Sequence, residues 1–127
     1  MMKALVFTTK DTAYVRDFLP PMSQTAEEVI GDWVELVRPK GIPGYLMLVD
    51  ENGLLKELPM NLAGSLFYGT QFHGSPIVGD IVIAKDTREK VPQELTDQQI
   101  SFLFAEANRL AKQFGKEIRW EAPNEHS

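Results

Sequence analysis

The only imidazoles in the sequence are His73 and His126, so any histidine chemistry falls to one of these two residues. His73 lies in Gln71-Phe72-His73-Gly74-Ser75-Pro76, a glycine-flanked loop where a general base can reach a substrate. With a nearby carboxylate it would make the chain a small hydrolase-like enzyme. Nothing adjacent completes a triad, however. The nearest hydroxyls are Ser65 and Ser75, and Gly64-Ser65-Leu66 lacks the second glycine of a nucleophile elbow. A solvated loop histidine is the simpler reading, and His126 falls in a polar tail. There is no cysteine, which removes disulfides, thiolate metal sites and cysteine nucleophiles. No glycine-rich phosphate or dinucleotide loop occurs. Asp50, Glu51 and Asp80 would have to converge to hold a metal, and Asp50 to Gly53 is too short for a calcium loop of the helix–loop–helix kind. No catalytic set, cofactor or metal is therefore assigned.

Residues suited to binding are easier to find. Phe67, Tyr68 and Phe72 form an aromatic cluster flanked by Gly69 and Gly74. Such aromatics usually fill a core, but exposed ones stack on a flat ligand such as a nucleobase or contact a protein. With the neighbouring polar groups, the ligand-binding candidates are Asn61, Tyr68, Phe72 and His73. A second constellation is acidic: Glu27, Glu28, Asp32 and Glu35. It serves as a solvated face or meets a basic partner, and Glu27 and Glu28 are the protein-binding candidates.

Composition limits the partners. The chain has 127 residues and a formal net charge of -5, with 13 basic side chains against 18 acidic ones. Duplex DNA or RNA binding by phosphate neutralisation is disfavoured. Apolar residues make up 43%, enough for one core in a single domain spanning 1–127. The opening apolar run stops at Thr8-Thr9-Lys10-Asp11, so neither a secretory leader nor a membrane span is expected, and the default location is the cytoplasm.

The elements that must position these residues follow from local pattern. Ala4 to Thr8 and Ala13 to Leu19 read as a strand hairpin ended by Pro20-Pro21. Ser23 to Ile30 reads as a short helix capped at Ser23 or Thr25, with Thr25-Ala26-Glu27-Glu28 as a capping box that places the glutamates in the first turn. Asp32 to Arg38 alternates as a strand, and Tyr45 to Val49 is apolar throughout, as for a central strand. Asn52-Gly53 is the strongest turn signal, with Gly53 expected at positive φ. Leu54 to Pro59 reads as extended. Asn61 caps a helix over Leu62 to Phe67 that ends near Gly69. Ile77 to Ala84 reads as a strand with a bulge at Gly79-Asp80.

The polar stretch Asp86 to Glu94 separates a sheet-rich body, 1–85, from a terminal helix, 95–115, and a polar tail, 118–127. Thr96-Asp97-Gln98-Gln99 is a capping box with Leu95 and Ile100 as its hydrophobic staple. Ile100, Leu103, Phe104, Ala107, Leu110, Ala111 and Phe114 form one apolar stripe, and Gly115 closes the helix. The expected fold is α+β: a mixed, mostly antiparallel sheet of about five strands, two short helices and a long C-terminal amphipathic helix. Phe102 falls off the stripe, which suggests a second buried face and a homodimer through this helix.

The middle of the chain also carries a family pattern. Asp50-Glu51-Asn52-Gly53-Leu54-Leu55-Lys56-Glu57-Leu58-Pro59-Met60-Asn61 has an acidic residue before a turn glycine, then Leu-Pro and an asparagine. Val29-Ile30-Gly31-Asp32-Trp33-Val34-Glu35 precedes it, and Pro76-Ile77-Val78-Gly79-Asp80-Ile81-Val82-Ile83 follows. Together they resemble the domain of unknown function 3846, over roughly the first two-thirds of the chain. The resemblance implies a bacteriophage or mobile-element origin and a host bacterial cytoplasm, and brings no activity with it. The expectation is a phage-type accessory protein that is not an enzyme. It would bind a host protein or sequester a small metabolite or nucleotide. A hydrolase using His73, or a structural and oligomerisation module, are the alternatives.

Overall fold

A computed structural model of the chain describes residues 2–87 and 91–121. A sheet of six strands, in the order β3-β4-β5-β1-β2-β6, carries helices on both faces. In chain order the elements are β1 (Met2–Phe7), β2 (Thr12–Phe18), α1 (Met22–Val29), β3 (Val34–Val37), β4 (Tyr45–Asp50), α2 (Leu62–Tyr68), α3 (Thr70–His73), β5 (Ile81–Lys85), α4 (Asp97–Lys112) and β6 (Arg119–Trp120). The α+β class matches expectation. The sixth strand and the third short helix are additions.

β1 and β2 form the expected hairpin, pairing Met2 with Phe18 and Phe7 with Ala13. β1 pairs on its other side with β5, and β5 with β4, all antiparallel. β6 joins β2 in parallel, Thr12 opposite Arg119 and Ala13 opposite Trp120. Part of the expected tail is therefore a strand, anchored by buried Ile118; residues 122–127, including His126, lie outside the described residues.

Alternation along the strands divides the core between the two faces. Leu5, Phe7, Met47, Val49, Ile81 and Ile83 meet α2 and α4 on one side. Ala4, Val6, Leu46, Leu48, Val82 and Ala84 meet α1 on the other. Phe67 of α2 is fully buried and meets Phe7 edge-on at 5.7 Å between ring centres.

The capping box of α4 forms as expected: Thr96 Oγ1 accepts from the Gln99 N–H at 3.1 Å, and the Thr96 N–H donates to Gln99 Oε1 at 2.8 Å. Ile100, Leu103, Ala107 and Ala111 are buried, but Phe114 at the end of the stripe is 53% exposed. The helix has already ended at Lys112, and the turn to Gly115, at φ 69°, carries Phe114 off the sheet. Phe102 stacks on Tyr45 of its own chain at 6.3 Å. The polar stretch before α4 is stitched to the sheet by a Lys85–Gln93 bridge and by the Leu95 N–H donating to Lys3 O at 2.8 Å. Residues 88–90 within it lie outside the described residues.

Four local expectations are corrected. α1 starts at Met22 with Pro21 at the cap and no side-chain cap, so Thr25 is buried inside the helix and the glutamates sit in its last turn. Residues 51–57 form consecutive turns rather than a hairpin followed by an extended piece. Gly53 does not adopt positive φ; a Cβ there would meet Val78 Cγ2 at 2.6 Å, so close approach is what requires glycine. β5 begins only at Ile81, because Gly79, at φ 79°, turns the chain where a Cβ would lie 2.9 Å from Leu58 Cδ1.

Candidate functional site

Asn61 is the most constrained of the expected binding residues. It is 0% exposed. Its Oδ1 accepts from the Gly64 N–H at 2.9 Å, as the helix cap it was expected to be. Its Nδ2 donates to Phe7 O and to Gly79 O, each at 2.9 Å. Both amide protons are spent inside the protein. Burial leaves Asn61 no surface for a ligand, so it drops out of the candidate site.

His73, Phe72 and Tyr68 do come together. Gly69, at φ 95°, ends α2 and starts the short helix α3, and Gly74, at φ 81°, ends it. The Ser75 N–H donates to His73 Nδ1 at 3.1 Å. The neutral ring therefore carries its proton on Nε2, which lies 3.2 Å from Tyr68 O and donates to it. Both ring nitrogens serve the backbone, so the imidazole braces a turn instead of facing a substrate. Tyr68 packs edge-on to this ring at 4.9 Å, and Thr70 Oγ1 donates to Ser75 O at 2.6 Å. Phe72 projects from the braced turn and is 88% exposed. The three residues line an open groove of about 760 Å3 with Lys40, Arg109 and Phe114. Nothing in the sequence signalled that those last three would join it, because Lys40 comes from a loop, Arg109 from the last turn of α4 and Phe114 from the turn after it.

Glu27 and Glu28 separate. Glu28 forms an ion pair with Arg16 on β2. Glu27 sits on the wall of a different groove, of about 440 Å3, beside Asp32. Phe18, Met22, Val34 and Leu48 floor this groove, and Trp33, 62% exposed, stands at its side. The groove runs along β3, which is the edge of the sheet. The Glu51 N–H donates to Trp33 O at 2.8 Å, and β3 registers Glu35 opposite Val49 and Val37 opposite Met47. In an antiparallel ladder, hydrogen-bonded pairs alternate with non-bonded ones. The bonded pairs are thus 33/51, 35/49 and 37/47. The N–H and C=O groups of Val34 and Leu36 point away from β4, at an edge that has no strand partner among the described residues. Leu36 is half exposed on the groove side.

Charges around β3 are unevenly partnered. Arg38 pairs with Asp86 at 2.8 Å, and Lys56 with the buried carboxylate of Asp50 at 2.8 Å. Asp50 also accepts from the Asn52 N–H at 2.8 Å, so it organises the 51–57 turns. Glu27 and Asp32 have no cationic partner among the described residues. Among those residues, no three histidine or acidic side chains converge to hold a metal ion, and no helix is long and apolar enough to cross a membrane.

No curated protein and no solved structure matches the chain. A family model does match, and it reaches beyond the segment carrying the resemblance, through β5 and α4 to Phe114. The helix that the family pattern did not signal is thus part of the domain, as its share of the core requires. Matched over residues 2–114, the chain belongs to the family described as Domain of unknown function (DUF3846).

Proposed function

We propose that the chain is a non-enzymatic binding protein that takes a basic, extended segment of another protein onto the α1–β3 face. The observation that carries this reading is the apolar groove running beside an unpaired strand edge, walled by Glu27 and Asp32. An exposed edge is a template for one more strand, which uses main-chain hydrogen bonds for affinity and alternate side chains for specificity. Val34 and Leu36 supply those main-chain groups. Trp33 and Leu36 offer apolar contact, and the two carboxylates select positive charge. A second copy of the chain is a poor occupant, because it would bring the same acids against each other at a net charge of -5 per chain. In the phage or mobile-element setting implied by the family resemblance, the natural partner is a host protein in the bacterial cytoplasm.

The test is fluorescence anisotropy with a short peptide alternating lysine and valine, and its glutamate–valine counterpart as control. The basic peptide is expected to bind and the acidic one to fail. Leu36→Pro removes an N–H that faces away from the sheet, a change edge strands tolerate, so the fold should survive while binding is lost. Glu27→Lys with Asp32→Lys should reverse the preference between the peptides. Binding indifferent to peptide charge and to Leu36→Pro would refute the proposal.

A further inference from the structure

On the opposite face, we infer a second and independent site: the groove between α3 and the end of α4 takes a small ligand that combines a flat aromatic ring with an anionic group. This groove of about 760 Å3 adjoins a smaller one, and the two share Leu66, Gln71 and Phe114. The chain carries 18 acidic side chains against 13 basic ones, yet among the described residues no carboxylate lines either groove. Lys40, Arg109 and Lys116 do. Arg109 is paired with Glu106, while Lys40 and Lys116 have no acidic partner among the described residues. A locally positive recess on an acidic protein attracts anions and repels cations.

The aromatic half of the ligand follows from Phe72. A phenylalanine left 88% exposed gains nothing from folding. The turn that carries it is also braced. His73 bonds the backbone at both ring nitrogens, Thr70 bonds Ser75 O, and the Gly74 N–H donates to Thr70 O at 2.7 Å. An apolar ring carried on a braced turn is presented for contact with little loop freedom left to lose when something stacks on it. Phe114, 53% exposed, lines the same groove. Two accessible rings and unpartnered ammonium groups match one ligand chemistry: a planar ring system bearing a phosphate, carboxylate or sulfonate. Nucleoside monophosphates belong to this class, as do aromatic acids.

Three probes test it on the full chain: adenosine monophosphate, adenosine, and 8-anilinonaphthalene-1-sulfonate. Binding is read by chemical-shift perturbation for the first two and by fluorescence for the third. Both anions are expected to bind, with adenosine much weaker than its monophosphate. Phe72→Ala should weaken both anions about tenfold, the scale of losing one stacking ring. Lys40→Glu should weaken the anions and leave adenosine unchanged. Melting curves of each variant confirm an intact fold, which ANS fluorescence alone would not, because that dye also lights up loosened cores. The inference is overturned if neither anion binds, if binding survives Phe72→Ala, or if adenosine binds as well as its monophosphate. The peptide experiment on the α1–β3 face is unaffected by any of these results, because the two grooves share no residue.

Discussion

Asn61 offers the sharpest test of how this fold is held. Replacing it with alanine removes an acceptor for the Gly64 N–H and two donors, to Phe7 O and Gly79 O. Loss of a helix cap costs about 1 kcal/mol. Each buried carbonyl left without its donor costs about 1–3 kcal/mol, less whatever relaxation or water recovers. The sum is about 4 kcal/mol, a large share of the roughly 5–15 kcal/mol that stabilises a domain of this kind. In urea, with a slope of about 2 kcal/mol per molar, the midpoint should fall by about 2 M. Asn61→Asp discriminates further. It keeps the cap acceptor and the size, but sets a carboxylate oxygen against two carbonyl oxygens. It should therefore destabilise at least as much as alanine, although a cap alone would tolerate it. A midpoint shift corresponding to less than about 1 kcal/mol in Asn61→Ala would refute this reasoning, as would an Asn61→Asp variant as stable as the parent.

Other outcomes follow from the same geometry. Gly53→Ala should destabilise by about 1–3 kcal/mol through its clash with Val78 Cγ2, and a Val78→Ala second change should recover part of the loss in urea melts. Thr96→Ala should cost about 1 kcal/mol as a lost N-cap, whereas Ser23→Ala should be nearly silent because α1 has no side-chain cap. Burial raises the Tyr14 phenol above its ordinary value of 10.0, helped by the charge of Asp80, and burial also raises Tyr45. The unfolded chain then loses these protons first as pH rises. Their contribution to stability is fully present below pH 10.0 and is lost as pH climbs from there through the folded-state values. Near-ultraviolet phenolate absorbance and alkaline urea melts measure this, and Tyr14→Phe should flatten the decline.

Legibility in the sequence tracked the range of the interaction. α4 was readable because a capping box and a helical stripe are local signals. The same holds for the β1–β2 hairpin and for Asn61 as a cap. The second task of Asn61, bonding Phe7 and Gly79, was not readable, because it joins segments far apart in the chain. Asn52-Gly53 has the composition of a hairpin turn, but Val78 decided what Gly53 is for. β6 has two residues and no pattern of its own; only its pairing with Thr12 and Ala13 makes it a strand. Among the candidate residues, Tyr68, Phe72 and His73 were found by composition. Lys40, Arg109 and Phe114 were missed because exposure and mutual placement, not residue type, put them in the groove. Likewise, that β3 is an unpaired edge is a property of strand order, which alternation in Asp32 to Arg38 cannot reveal.

The position of β1 between β2 and β5 has a consequence for biosynthesis. A ribosome releases residues 2–18 first, so the hairpin emerges long before Ile81–Lys85 exists to cover its other side. Until then Leu5, Val6 and Phe7 present both an apolar surface and an unsatisfied row of amides to solvent. Native closure must wait for β5 and for the α4 residues that roof Leu5 and Phe7. Nascent chains stalled before β5 are thus the species most prone to chaperone capture or aggregation, and slower translation would lengthen that window instead of helping the domain to fold.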